Sequence, residues 1–170
     1  TQSRSSAASD VYKRQVFDHV VSLIAPLGWH LCLHVDGAML PDLLPRLLAL
    51  PVPFVVDHMG RLKAADGLDS PAMRALLSLA DVPQAWVKVS GIDRIASGQR
   101  PFAEGIPFVR ALVEALPERT LWGTDWPHPN VAGDMPDDGE LVDTFFEACP
   151  DAALRQRVLV DNPARLYGFM

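Results

Sequence analysis

The sequence has little of what several protein classes require. Of its 170 residues only two are cysteines, Cys32 and Cys149, too few and too isolated for a disulfide framework or a zinc knuckle. It has no basic stretch: 15 Lys and Arg stand against 21 Asp and Glu, a net charge of −6. Nothing is there to neutralise a run of phosphates, which argues against nucleic acid as a partner. No apolar run approaches the roughly 18–20 residues that span a bilayer. No signal-peptide pattern opens the chain, so the expectation is a protein without membrane partners in a reducing, cytoplasmic setting. What is there is an ordinary globular composition, 49 % hydrophobic and 21 % charged, long enough for one domain with a sizeable core. The 15 prolines punctuate helix starts and loops and form no tract.

Residues 1–15 (TQSRSSAASDVYKRQ) are polar and serine-rich with no apolar period. They read as a non-native scar or a disordered arm, and carry no chemistry. From Val16 onward, helical and strand patterns alternate. Residues 16–27 place Val16, Val20, Leu23, Ile24 and Leu27 at three- and four-residue steps, a helix stopped by Gly28. Strands are expected at 31–36 (LCLHVD), 54–58 (FVVDH), 86–90 (WVKVS) and 120–125 (TLWGTD). Between them lie helical patterns at 41–50, at 72–80 after the Ser70-Pro71 cap, and at 105–116. Helices at 140–148 and 152–160 follow, and Asn162-Pro163 reads as a further cap and first turn.

Strands alternating with helices mean βα units and a parallel sheet, either doubly wound or a barrel. No Gly-rich phosphate loop follows any strand, which removes the commonest reason for a doubly wound sheet. Four βα units are half of an eight-fold barrel. The strand ends carry the polar residues: His34 and Asp36, Asp57 and His58, Ser90 with Arg94 beyond it, and Asp125. In parallel βα folds reacting groups sit at that rim, because the strand ends converge there while the loops vary.

The blocks DHMGR (57–61), WVKVSGIDR (86–94), GTDWPHPN (123–130) and DNPARLYGF (161–169) resemble the amidohydrolase-2 group of the amidohydrolase superfamily. GTDWPHPN is most similar to its 2-pyrone-4,6-dicarboxylate lactonases and related sugar-acid lactonases. The resemblance implies a (β/α)8 barrel of which residues 16–170 are the C-terminal half, with strands five to eight. It also implies a His-x-His pair on the family's first strand, which this sequence does not supply, so the chain is expected to be an incomplete and inactive fragment. The implied substrate is a small carboxylated lactone, opened by hydrolysis without a redox cofactor. Whether a divalent metal such as zinc or manganese takes part stays open, since the pyrone lactonases work without one and neighbouring enzymes use one.

Asp125 falls where the resemblance implies the catalytic aspartate, a carboxylate able to take a proton from attacking water. The alternative is a loop carboxylate bonded to backbone. His58 matches the family's isolated barrel histidine, able to polarise a carbonyl or ligate a metal; the alternative is a rim histidine paired with Asp57. Arg94 matches the arginine that grips a substrate carboxylate with its planar fork, and Asn130 matches a substrate-contacting asparagine. Both have surface alternatives, a free arginine and an Asx-turn residue. His34 shares a strand face with His30, Cys32 and Asp36, pointing into the lumen, and is a candidate substrate contact or simply packed. Lys88 is not carried over as a carbamylated metal-bridging lysine, because that lysine belongs to an earlier strand. His128, between two prolines, reads as a rigid loop residue. A metal-dependent decarboxylase of the same superfamily and an inert half-barrel that only associates are the competing readings.

Overall fold

Four short parallel strands lie side by side in chain order: β1 (Leu31–Leu33), β2 (Phe54–Val56), β3 (Ala85–Lys88) and β4 (Thr120–Leu121). The computed structural model describes residues 15–96, 100–129, 131 and 134–169. Leu31 lies opposite Phe54, Phe54 opposite Ala85, and Val87 opposite Thr120. A doubly wound sheet would reverse its strand order at a switch point; this one does not, and the uninterrupted order is that of a partial βα barrel. The helices are α1 (residues 15–24), α2 (Leu40–Leu48), α3 (Pro71–Leu77), α4 (Ile92–Ile95), α5 (Ile106–Ala115), α6 (Asp138–Ala148), α7 (Ala152–Gln156) and α8 (Asn162–Tyr167).

The period of two along each strand divides the molecule. Phe54, Val56, Ala85 and Val87 point to the helical side and are fully buried, packed in one cluster with Met73, Leu76, Phe108 and Leu112 of α3 and α5. Each of these side chains other than Ala85 contributes about 1.5–3 kcal/mol of burial. The opposite face carries Val55, Trp86 and Leu121, a separate small cluster covered by Leu166 of α8. The Ser70-Pro71 signal is met: Ser70 Oγ accepts from the Met73 amide at 3.3 Å and starts α3.

Three expectations need correction. The stripe assigned to α1 is not its packing face: Val21 is buried, with Phe17 and Ile24 against the core, while Val16, Val20, Leu23 and Leu27 are exposed. The same side of α1 meets α2, where Arg46 lies over the Phe17 ring and pairs with Asp18. The strands stop short of the expected ends. After Val56 the chain turns through His58, Met59, Gly60 and Arg61, all at positive φ, which no strand can accommodate. Asn162 is not a cap. It continues a helical path through the π-helical turn Arg157–Asp161, and its fully buried amide donates to the carbonyls of Pro117 (3.0 Å) and Thr120 (2.8 Å). Arg165, one turn on, reaches Glu118. α8 is thereby bracketed to the entrance of β4, which lays Leu166 over the inward cluster at the end of the sheet away from the rim.

Candidate active site

At the other end of the sheet, Cys32 of β1 and Lys88 of β3 meet residues just past the strand ends: His34 after β1, Asp57 and His58 after β2, Ser90 after β3 and Asp125 after β4. Lys88 Nζ lies 2.8 Å from Asp57 Oδ1. The same oxygen accepts from the backbone N–H of His58 at 3.1 Å, and Asp57 Oδ2 takes a longer contact from Cys32 Sγ at 3.5 Å. His58 Nε2 is 3.4 Å from Asp57 Oδ2 and 3.5 Å from Asp125 Oδ1. Its Nδ1 is 2.8 Å from Ser90 Oγ, and its ring meets that of His34 edge to face at 5.4 Å between centroids. Arg94 Nη2 lies 2.5 Å from Asp125 Oδ2 and donates to the Pro129 carbonyl at 2.9 Å.

The result is a chain of contacts, Lys88, Asp57, His58, Asp125 and Arg94, in which each carboxylate beside His58 has its own cation. Two carboxylates facing Nε2 require a proton there, so Nδ1 accepts from the Ser90 hydroxyl. Burial lowers the His58 pKa, and although Asp57 and Asp125 pull it up, the net position is below the ordinary imidazole value. His58 is therefore a neutral N–H donor aimed between two acceptors. Burial pushes Asp57 up, but the hydrogen bond and charge of Lys88 outweigh it and hold the carboxyl below its usual value. Burial pushes Lys88 down, and Asp57 more than reverses that. The Cys32 thiol is raised, first by burial and then by the Asp57 charge, which leaves it protonated and unreactive.

The backbone supports this cluster by local turns. His58 (φ 49°) and Asp125 (φ 68°) both adopt the left-handed conformation, which side-chain-bearing residues hold only when their surroundings over-determine it. Such outliers gather at functional sites.

Of the residues singled out from the sequence, His58, Asp125 and Arg94 come together and His34 stacks on their edge. Asn130 lies outside the described residues. Arg94 is engaged with Asp125 and the loop carbonyl, and its buried Nε has no partner among the described residues. The sequence reading placed Asp57 at the rim as a possible partner of His58 but passed over Lys88, although the alternation in WVKVS already put Lys88 on the face of Ser90. Among the described residues no group of three or more His, Cys, Asp or Glu is placed to hold a metal ion. The two carboxylates nearest His58 are already ion-paired.

A parallel βα sheet in chain order, with a His, paired carboxylates and an Arg gathered at its rim, defines a partial βα barrel with its polar cluster at the strand ends. A family model described as Amidohydrolase matches residues 4–169, and the chain belongs to that family. It is 42 % identical over 157 residues to a 2-pyrone-4,6-dicarboxylate hydrolase of Comamonas testosteroni, covering 87 % of this chain and 52 % of the relative. It is 38 % identical over 155 residues to a 4-sulfomuconolactone hydrolase of Hydrogenophaga intermedia, covering 90 % and 51 %. Among solved structures it resembles an apo protein of Agrobacterium tumefaciens, with a TM-score of 0.80 and 35 % identity over 91 % of this chain and 56 % of the other. The chain thus spans about half the length of the curated relatives it matches.

Proposed function

We propose that residues 16–170 are the second half, strands five to eight, of a (β/α)8 barrel enzyme that hydrolyses a small carboxylated lactone. The observation that carries this reading is the Arg94–Asp125–His58 cluster, held at 2.5 and 3.5 Å at the rim. Its support outside the site is the likeness to hydrolases whose names specify a pyrone dicarboxylate and a sulfomuconolactone.

In this mechanism water adds to the lactone carbonyl carbon and gives its proton to Asp125. The His58 Nε2–H, turned from its two carboxylate neighbours, donates to the carbonyl oxygen as it becomes an oxyanion. Collapse of that oxyanion breaks the ring C–O bond, and the proton held by Asp125 passes to the departing ring oxygen. The remaining N–H groups of Arg94 face a substrate carboxylate, with His34 and Asn130 as further substrate contacts. Lys88 keeps Asp57 ionised and engaged, so that Asp125 alone is left to act as base. The His-x-His pair implied by the resemblance is not among the 170 residues, and the activity is assigned to the full-length protein.

The test is to supply the full-length protein with 2-pyrone-4,6-dicarboxylate, a sulfomuconolactone and aldarolactones. Ring opening with one acid equivalent released per turnover is expected. Evolution of carbon dioxide from an aryl carboxylate, with no ring opening, would replace the lactonase reading with the decarboxylase one.

A further inference from the structure

We infer that His128 is a positioning residue for Asp125, tying the loop that carries this carboxylate to the first turn of α6. His128 is 4 % exposed and sits between Pro127 and Pro129, yet it holds positive φ (56°). Its ring leads away from the Asp57–His58–Asp125 cluster: Nε2–H donates to Asp138 Oδ1 at 3.1 Å. Its backbone leads toward that cluster, and its N–H donates to the Asp125 carbonyl at 2.7 Å.

The far end of this tie is a fixed post. α6 is capped by Asp137, whose carboxylate accepts from the amides of Gly139 and Glu140, and it buries Leu141 and Phe145 in the core. Asp125 has left-handed backbone that nothing in a strand or helix ladder supports. Two contacts over-determine it: Arg94, which binds both the Asp125 carboxylate and the Pro129 carbonyl, and the His128 amide between them. Arg94 fixes the inner side of this short loop and the His128–Asp138 pair fixes the outer side. A carboxylate that must take a proton from a water attacking a carbonyl tolerates little displacement, because a misplacement of about 1 Å can cost about 10²-fold in rate.

The activity arm of the test rests on the lactone-hydrolase reading, and the structural arm does not. In the full-length protein, His128→Leu should lower kcat about 10-fold or more while KM moves less than about 3-fold. His128→Gln, whose amide N–H reaches the same acceptor, should restore kcat to within about 3-fold of wild type. Asp138→Ala cuts the tie at its exposed end and leaves no cavity, so it reads the same effect if His128→Leu does not fold. In Asp138→Ala the residue-128 amide, followed by hydrogen exchange, should lose about 10-fold of its protection as the loop opens. Two results overturn the inference: Asp138→Ala with unchanged residue-128 exchange, or a folded His128→Leu that loses thermal stability but keeps kcat. A wild-type protein that opens no lactone would sink the proposed activity, and the exchange measurement would still decide the role of His128.

Discussion

Replacing Lys88 by methionine removes one charge from the inner face of the sheet and keeps most of the side-chain volume. Asp57 is then left with burial, which raises its pKa, and without the cation that overcomes it. Breaking a fully buried pair by removing one partner costs about 3–5 kcal/mol. Here the side chains are 26 % and 14 % exposed, so water reaches the pair and a discount to about 1–3 kcal/mol is appropriate. The sign with pH distinguishes an orphaned charge from a packing defect. In the wild type the depressed Asp57 contributes stability above its unfolded pKa, and that contribution is lost as pH falls through the folded value. In Lys88→Met the folded carboxyl is raised, so protonation relieves it and the difference between the proteins shrinks toward acid. Urea unfolding of both full-length proteins at about pH 7 and about pH 4, with equal slopes, measures this. A difference below about 0.5 kcal/mol at neutral pH, inside the ordinary scatter of surface substitutions, would refute the reasoning. So would a larger difference that does not change with pH. Adding Asp57→Asn to Lys88→Met should recover much of the loss, because the uncompensated charge is gone.

Asp125→Asn keeps size and hydrogen bonding but cannot accept a proton, so kcat should fall about 10²-fold or more with the fold intact; near-wild-type turnover would place the base elsewhere. Arg94→Lys replaces a fork that spans Asp125 and Pro129 with a point donor, so kcat should fall together with a rise in KM, and a defect in KM alone would show that Arg94 does not hold the loop. His58 and Asp57 both have depressed folded pKa values, so each contributes stability that is lost on acidification. Stability should begin to fall below about pH 6.5 and fall again below about pH 4, with melting midpoints flat across that range as the contrary result. Among the described residues the outer edges of β1 and β4 have no strand neighbour, so size-exclusion chromatography should find this polypeptide, produced by itself, self-associated, and a cooperative monomer would contradict the half-barrel reading.

The fold was legible where local chemistry and packing agree. The alternation of Leu31, Leu33 and Val35 against Cys32 and His34 found the start and the buried face of β1, though not its end, because Leu31, Leu33 and Val35 all pack against the core. Ser70-Pro71 announced α3 by a mechanism confined to four residues. α1 misled because periodicity reports a stripe without saying what lies opposite it, and among the described residues Val16, Val20, Leu23 and Leu27 of that stripe are left exposed. Asn162-Pro163 misled for the converse reason. It has the composition of a cap, but two carbonyls 42 and 45 residues away claim the asparagine amide, and no local signal encodes a partner that distant.

The rim cluster divides along the same line. Asp125, His58 and Arg94 could be named because they stand in recognisable blocks at strand ends, but their mutual arrangement could not, since each comes from a different βα unit. The Lys88–Asp57 pair was within reach. A lysine on the lumen face of a buried strand needs a counter-charge, and neighbouring β2 ends one residue before an aspartate. The bland reading of His58, a histidine paired with Asp57, is what the structure shows, and the same Nε2 also faces Asp125, 3.4 Å from one carboxylate and 3.5 Å from the other. What separates the two carboxylates is the cation each has. Lys88 rises from the rigid sheet beside Asp57, whereas Arg94 comes from the four-residue α4 and divides its guanidinium between Asp125 and a loop carbonyl. In the proposed mechanism this difference leaves Asp125 as the carboxylate whose cation also serves a second partner, while Lys88 is committed to Asp57.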